Sequence, residues 1–316
     1  MNDTRLRPLG RSDLRVSRLC LGGNVFGWTA DEAAAFRILD AYTAVGGNIV
    51  DTADSYSAWA EGHSGGESET VIGAWLHARG RRDDLVIATK VSQHPEFRGL
   101  SGANVRAAAH ASLKRLGTDT IDLYYAHFDD PDTPVAESAE AFSSLVDEGA
   151  IRHIGLSNHS PDRIREWLDA CAARGLHAPV CVQPHYNLVE RGIEADLVPL
   201  ARERGLALLP YFGLAKGFLT GKYRPDGPDV DSPRAARARA YLDGPRGERV
   251  LAALDAVAAE RGTAPAAVAL AWLADRPGVT SAIASARDLA QLEDLLPVVG
   301  LELTGDESAR LTEASA

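Results

Sequence analysis

Residues 48–56 read Asn48-Ile49-Val50-Asp51-Thr52-Ala53-Asp54-Ser55-Tyr56. A short apolar run ends on a carboxylate, and a tyrosine follows in the loop. Runs of the same kind recur at 18–22, 85–90, 121–126, 151–157, 180–183, 206–211 and 279–284. They are near-continuous rather than alternating, the pattern of parallel strands covered on both faces. Helical segments separate them. Thr29-Ala30-Asp31-Glu32 has the form of a capping box opening a helix with Phe36, Leu39, Tyr42 and Val45 on adjoining turns. Ser101 is placed to cap a helix ending at Gly117. Thr133-Pro134 and Ser160-Pro161 read as N-cap and first-turn pairs of helices closing at Gly149 and Gly175. Further helices are expected over 194–204, 247–261 and 288–296.

Eight strands alternating with helices predict an α/β fold, a (β/α)8 TIM barrel, as one domain over residues 1–316. The length of 316 residues suits a barrel of about 250 residues with insertions. Before the first strand, 6–9 and 14–16 flank Gly10-Arg11-Ser12-Asp13 as a β-hairpin, expected to plug the barrel floor. Two long loops, 57–66 and 214–244, interrupt the rhythm and are expected on the ligand-binding face. Residues 309–316 are expected to form a mobile tail.

Composition excludes several function classes. A net charge of −11 argues against general nucleic-acid binding. No apolar run approaches the roughly 20 residues that span a bilayer, and the N-terminus carries no signal-peptide pattern. Cys20, Cys171 and Cys181 have no metal-ligand spacing and read as buried thiols in a reducing cytoplasm.

Catalytic groups of such barrels lie at the C-terminal ends of the strands. Those ends carry Asp51, Lys90, His127, Ser157-Asn158, Gln183, Tyr211 and Ser285. Each alone has an ordinary structural reading; their coincidence at successive strand ends points to chemistry. A free tyrosine, with a pKa of about 10, is a poor acid at neutral pH. A neighbouring Lys90 ammonium is expected to stabilise the phenolate of Tyr56 and lower that pKa. Asp51 is expected to hold the ammonium, and His127 to orient a substrate oxygen. Such a site delivers a proton to a carbonyl oxygen. No side chain supplies reducing electrons, so a nicotinamide hydride is inferred. Asn158 and Gln183 match its carboxamide, and Tyr211 offers a ring to stack on it.

The chain resembles the aldo-keto reductases over nearly its full length. Residues 48–56 resemble that family's Asp-Thr-Ala…Tyr signature, Thr89-Lys90 its lysine strand, and Tyr124-Tyr125-Ala126-His127-Phe128-Asp129-Asp130 its Tyr-x-x-His-x-x-Asp motif. Gly155-Leu156-Ser157-Asn158, Val182-Gln183-Pro184 and Tyr211…Leu219-Thr220-Gly221-Lys222-Tyr223 also match. The resemblance implies a catalytic tetrad of Asp51, Tyr56, Lys90 and His127, with Tyr56 as general acid. It further implies that Ser157, Asn158 and Gln183 hold the nicotinamide amide and that Tyr211 stacks on the ring. Gly23, Asn24 and Asp51 belong to the same implied cofactor site. Backbone of Phe212, Gly213, Leu214 and Gly217 would wrap the pyrophosphate, with Lys222 and Arg234 near the phosphates. Ser285, Arg287, Gln291 and Asp294 occupy the adenosine-end motif. Where the family commonly has Ser-Pro after the stacking aromatic, this chain has Phe212-Gly213.

Arg287, Arg234 and Lys222 suit a 2′-phosphate, so NADP(H) is expected over NAD(H). The expected substrate is a small-molecule carbonyl or alcohol, with Trp28, Phe26, Trp59, Phe128 and Tyr186 as an aromatic pocket. Membrane and nucleic-acid partners are not expected. A rival reading is a nicotinamide-binding redox-sensing subunit with little turnover. A Schiff-base lyase using Lys90 is disfavoured because Asp51 would keep the amine protonated. A glycosidase needs two facing carboxylates, and a metallohydrolase needs clustered strand-end ligands.

Overall fold

Every apolar run forms a strand. The computed structural model describes residues 6–316, and its main sheet holds β1 (Leu19–Gly22), β2 (Ile49–Asp51), β3 (Val86–Val91), β4 (Ile121–Ala126), β5 (Ile151–Ser157), β6 (Cys181–Gln183), β7 (Ala207–Leu208) and β8 (Ala282–Ala284). All pairings are parallel, in the order β7-β6-β5-β4-β3-β2-β1-β8. A parallel bridge between Leu208 and Val279 joins the two ends. The amides of Thr280 and Ile283 donate to the carbonyls of Leu208 and Pro210. The sheet therefore closes as a (β/α)8 barrel.

The register explains how separate strand ends converge. Asp51 pairs with Ala88. Lys90, two residues further along β3, therefore shares the inward face with Ala88. Ser157 stands opposite Gln183.

The hairpin, Arg7–Pro8 paired with Arg15–Val16, seals the floor. Its Leu9, Leu14 and Val16 are buried with inward residues of seven strands, among them Cys20, Ile49, Val86, Leu123 and Cys181. Gly10, at φ +56°, has the Val180 carbonyl 2.1 Å from where a Cβ would sit. Only glycine lets the turn lie this close to the barrel. At Gly155, a Cβ would meet the Tyr125 ring at 2.4 Å, so β5 needs glycine for Tyr125 to fill the interior.

The outer layer comprises α1 (Glu32–Ala44), α2 (Glu67–Arg79), α3 (Gly102–Leu116), α4 (Val135–Asp147), α5 (Pro161–Arg174), α6 (Leu197–Arg204), α7 (Ala235–Arg239), α8 (Pro245–Arg261), α9 (Pro265–Ala274), α10 (Leu289–Leu295) and α11 (Gly305–Ala314). Several caps differ from expectation. Asp31, not Thr29, caps α1 by accepting from the Ala34 amide. Thr29 is consumed in a turn, its amide donating to the Val25 carbonyl. The Ser101 side chain makes no cap bond; the first amide of α3, Gly102, is taken by Glu137 instead. The Thr133 hydroxyl donates to Asp130, leaving Pro134 at the N-cap of α4. Ser160 and Pro161 start α5 as expected.

The C-terminal residues are not a loose tail. α11 opens on a Thr304–Glu307 capping box, buries Leu311 and is tied to α8 by two Arg261–Glu307 bonds of 2.6 Å. Besides α11, three helices were not foreseen: the short α7 inside the 214–244 segment, α2 and α9. α2 starts after left-handed Gly66 without a side-chain cap. α9 is buried all round, so its sequence has no polar face to set a period.

Among the described residues no helix is long and apolar enough to cross a membrane. Asp122 on β4 is fully buried and accepts from the Ile87 amide at 2.8 Å, from Arg82 at 2.8 Å and from Arg152 at 3.0 Å. Asp122→Ala would strand a buried amide, and is expected to destabilise the barrel by about 2 kcal/mol in urea unfolding. A change within the scatter of surface substitutions would refute this account of how β3 and β4 are joined.

Candidate functional site

Lys90 is wholly buried, and each ammonium proton has an acceptor. Nζ lies 2.6 Å from Asp51 Oδ2, 2.7 Å from the Thr52 carbonyl and 2.8 Å from the Tyr56 hydroxyl. The Tyr56 hydroxyl also reaches Asp51 Oδ2 at 3.3 Å. Gln183 donates from Nε2 to Asp51 Oδ1 at 2.8 Å. Thr52 is fixed in turn. Its hydroxyl bonds to Ser68 on α2, which donates to the Gly23 carbonyl, while the Gly23 amide donates to the Asp51 carbonyl.

Desolvation, and after it the Asp51 carboxylate, push the Tyr56 phenol well above its usual range. The expected net lowering by Lys90 is absent because desolvation, and after it the Asp51 carboxylate, dominate. The resting site therefore holds a protonated phenol. Its own hydrogen makes only the long bond to Asp51, so it is free to turn towards a better acceptor.

Half-buried His127 follows β4, its amide donating to the Val91 carbonyl. Desolvation, then the Lys90 charge, hold the imidazole well below its usual range, so it is neutral. Its ring meets Tyr56 edge-on at 6.2 Å, and Nδ1 is buried with no protein partner.

Asn158, at φ +55°, connects three walls of the barrel mouth. Nδ2 donates to the His127 carbonyl and to Ser157 Oγ, and Oδ1 accepts from the Tyr211 hydroxyl at 2.8 Å. Ser157 Oγ donates to the Gln183 carbonyl. Tyr211 is backed by His185, their rings stacked at 5.3 Å and 12°.

These groups open into a cavity of about 660 Å3, a size that encloses small organic ligands. Tyr211, Phe212, Gly213, Leu214 and Gly217 line one side, with Lys222, Arg234, Ser285, Arg287 and Gln291 at the end. Phe212, Ala215 and Lys216 have φ of +52°, +48° and +60°. The cations crowd one another. Desolvation, then Arg287 and Arg234, lower the Lys222 pKa; desolvation and Arg287 are also among the causes that lower that of Arg234. Among the described residues none of these three forms an ion pair. A cluster of unmatched cations at one end of a cavity, with a supported aromatic face and amides nearer the floor, fits an anionic dinucleotide.

Of the residues expected to bind a cofactor, Gly23 and Asp294 do not line the cavity. Gly23 lies behind the wall, where a Cβ would meet Ser68 Oγ at 2.8 Å. Asp294 is solvent-exposed, a turn beyond Gln291 on α10. Asn24 faces the cavity and its Oδ1 lies 2.5 Å from Ser285 Oγ. Trp28, Trp59 and Phe128 line the cavity, whereas Phe26 and Tyr186 are core residues. Sequence reading missed Lys216, Gln93 and Arg98, which also line it. Lys216 lies in the segment singled out for its backbone, and its ammonium sits 5.6 Å from the Phe212 ring centre. Gln93 and Arg98 belong to a small hairpin after β3, Gln93–His94 paired with Phe97–Arg98, too short to leave a periodic signal.

Comparison with known proteins gives the family of the chain. The model of the Aldo/keto reductase family matches residues 18–316. The chain is 36% identical over 308 residues to the uncharacterized oxidoreductase YrpG of Bacillus subtilis, covering 93% of this chain and 91% of that one. It is 34% identical to the aldo-keto reductase YhdN of Bacillus subtilis, covering 94% and 87%. It is 35% identical to a probable voltage-gated potassium channel subunit beta of Oryza sativa, covering 89% and 86%. The chain belongs to the aldo/keto reductase family and is an NAD(P)-dependent oxidoreductase.

Proposed function

We propose that this protein reduces the carbonyl group of a small molecule, or oxidises the matching alcohol, with NADP(H) preferred over NAD(H). The observation that carries the reading is the Lys90 ammonium held between Asp51, the Thr52 carbonyl and the Tyr56 hydroxyl beside an open cavity. A bound dihydronicotinamide supplies the hydride. Tyr56 is the general acid: as charge grows on the substrate oxygen, the phenol releases its proton to it. Lys90 continues to donate to the phenol oxygen and so stabilises the phenolate that forms. Asp51 pairs with Lys90 and positions it. Neutral His127 orients the same substrate oxygen with its one N–H.

Ser157, Asn158 and Gln183 are assigned to the nicotinamide amide, with Tyr211 against its ring. Gln183 Nε2 is already engaged by Asp51, so its Oε1 is the group offered to a ligand. Arg287, Arg234 and Lys222 are assigned to phosphate, their unmatched charge being the basis for NADP(H). Three buried free thiols suit a reducing cytoplasm.

A second reading, a nicotinamide-binding redox-sensing subunit, draws on the similarity to the channel subunit beta. It requires tight cofactor binding with negligible turnover on every carbonyl offered.

Tyr56→Phe is expected to lower turnover by roughly 10²–10⁴-fold while NADPH affinity is retained. Undiminished turnover in steady-state assays would remove Tyr56 from the acid role. Arg287→Ala should weaken NADPH binding more than NADH binding, read by fluorescence titration; equal weakening of both would detach Arg287 from the 2′-phosphate. The raised Tyr56 pKa also fixes a pH response. The acid form persists until pH rises well above 10, so kcat for reduction should be flat across pH 6–9. A fall with rising pH inside that window, with a deuterium isotope effect showing chemistry to be rate-limiting, would contradict a resting phenol.

A further inference from the structure

We infer, building on the reductase reading, that the preferred substrate is an aromatic aldehyde or ketone bearing an oxyanion substituent, its ring held by Trp28, Trp59 and Phe128 and its anion met by Arg98. The aromatic part follows from exposure at the cavity mouth. Trp59 is 54% exposed and Phe128 41% exposed, unusual for rings this large in a chain that buries its other aromatics well. Trp59 meets Trp28 edge-on at 5.6 Å and Tyr56 at 5.9 Å, so the indoles lead directly to the proposed acid. On the far side Phe128 packs on His127 at 5.0 Å.

The charged part follows from the small hairpin. Ser92, just before it, accepts the Phe128 amide on Oγ at 3.1 Å and forms a bridge with Arg98. Arg98 therefore stands beside Phe128. The hairpin is anchored rather than loose. His94 is buried, and a Cβ on Gly65 of the Trp59 loop would meet its ring at 2.7 Å. The Leu100 amide donates to Asp130 at 2.7 Å. Among the described residues Arg98 has no ion pair or side-chain hydrogen bond. The one carboxylate lining the cavity, Asp51, is already matched by Lys90. A guanidinium on a fixed hairpin at the edge of an aromatic slot is suited to a planar oxyanion on the ring.

In the reaction the carbonyl carbon gains a hydride from the reduced nicotinamide, which is oxidised. The C=O π pair takes the Tyr56 proton, and the product is the aryl alcohol. The oxyanion is unchanged; its contribution is to binding.

The test pairs 4-carboxybenzaldehyde with its neutral methyl ester, in wild type and Arg98→Gln. Arg98 is exposed, so the variant should fold. In wild type the acid should have the lower KM. Arg98→Gln should raise KM for the acid roughly two- to fivefold more than KM for the ester, with the loss in KM rather than kcat, the size expected of a solvent-exposed pair. Equal KM values in wild type, or an equal effect of the variant on both compounds, would overturn the inference. Binding of terephthalate, read by tryptophan quenching with saturating NADP+, separates the two levels of argument. If Arg98→Gln weakens terephthalate binding while neither aldehyde turns over, the anion site stands and the reductase reading falls. If terephthalate binds both proteins alike, the anion site itself is refuted.

Discussion

The structure of the site depends on keeping one charge dry. An ammonium removed from water is costly unless its protons are all accepted and its charge is matched. Lys90 meets both conditions, with an acceptor from β2, one from the loop that follows and one from Tyr56. That requirement fixes more than Lys90. It sets the register of β2 on β3, holds Thr52 through Ser68 and Gly23, and draws Tyr56 back over the strand end. The phenol is thus placed by the same bonds that satisfy the cation. Desolvation then keeps it protonated at rest, the state in which an acid is useful.

The barrel was legible because the physics of a doubly covered parallel strand leaves a plain trace. Runs such as 121–126 and 151–157 are mostly apolar and become β4 and β5 with unchanged bounds. The inward polar residues at the strand ends were also legible, since Asp51, Lys90 and Gln183 interrupt apolar runs that have no other reason to carry them. What the sequence concealed is competition among local partners. Thr29 and Ser101 look like caps, but a turn at Val25 and the carboxylate of Glu137 take the bonds first. The all-apolar α9 has no period to read. Leu311 was assigned to a tail because two residues of one turn cannot announce a docking surface on another helix.

The site shows the same division. Residue type at a strand end predicted which side chains meet, but not the balance of their fields. Lys90 was expected to acidify Tyr56, and would do so alone. Desolvation, and after it the Asp51 carboxylate, reverse the outcome. Likewise Gln183 turned its amide towards Asp51, a bond between residues 132 positions apart. Arg98 and Gln93 reach the cavity only because a short hairpin folds back after β3, one that the reading of the sequence did not foresee.

The segment from Phe212 to Gly217 has a consequence of a different kind. Three non-glycine residues there adopt left-handed backbone, each at a cost of order 1–3 kcal/mol. Gly213 within it contributes further freedom to the unfolded chain. Such a stretch is held by its surroundings: the Phe212 carbonyl accepts from Asn187, and Lys216 and Arg234 lie against the Phe212 ring. Loop shape and cavity occupancy are therefore linked equilibria. A ligand that favours this conformation stabilises the protein locally, and a chain that has relaxed here binds the ligand less well by the same factor.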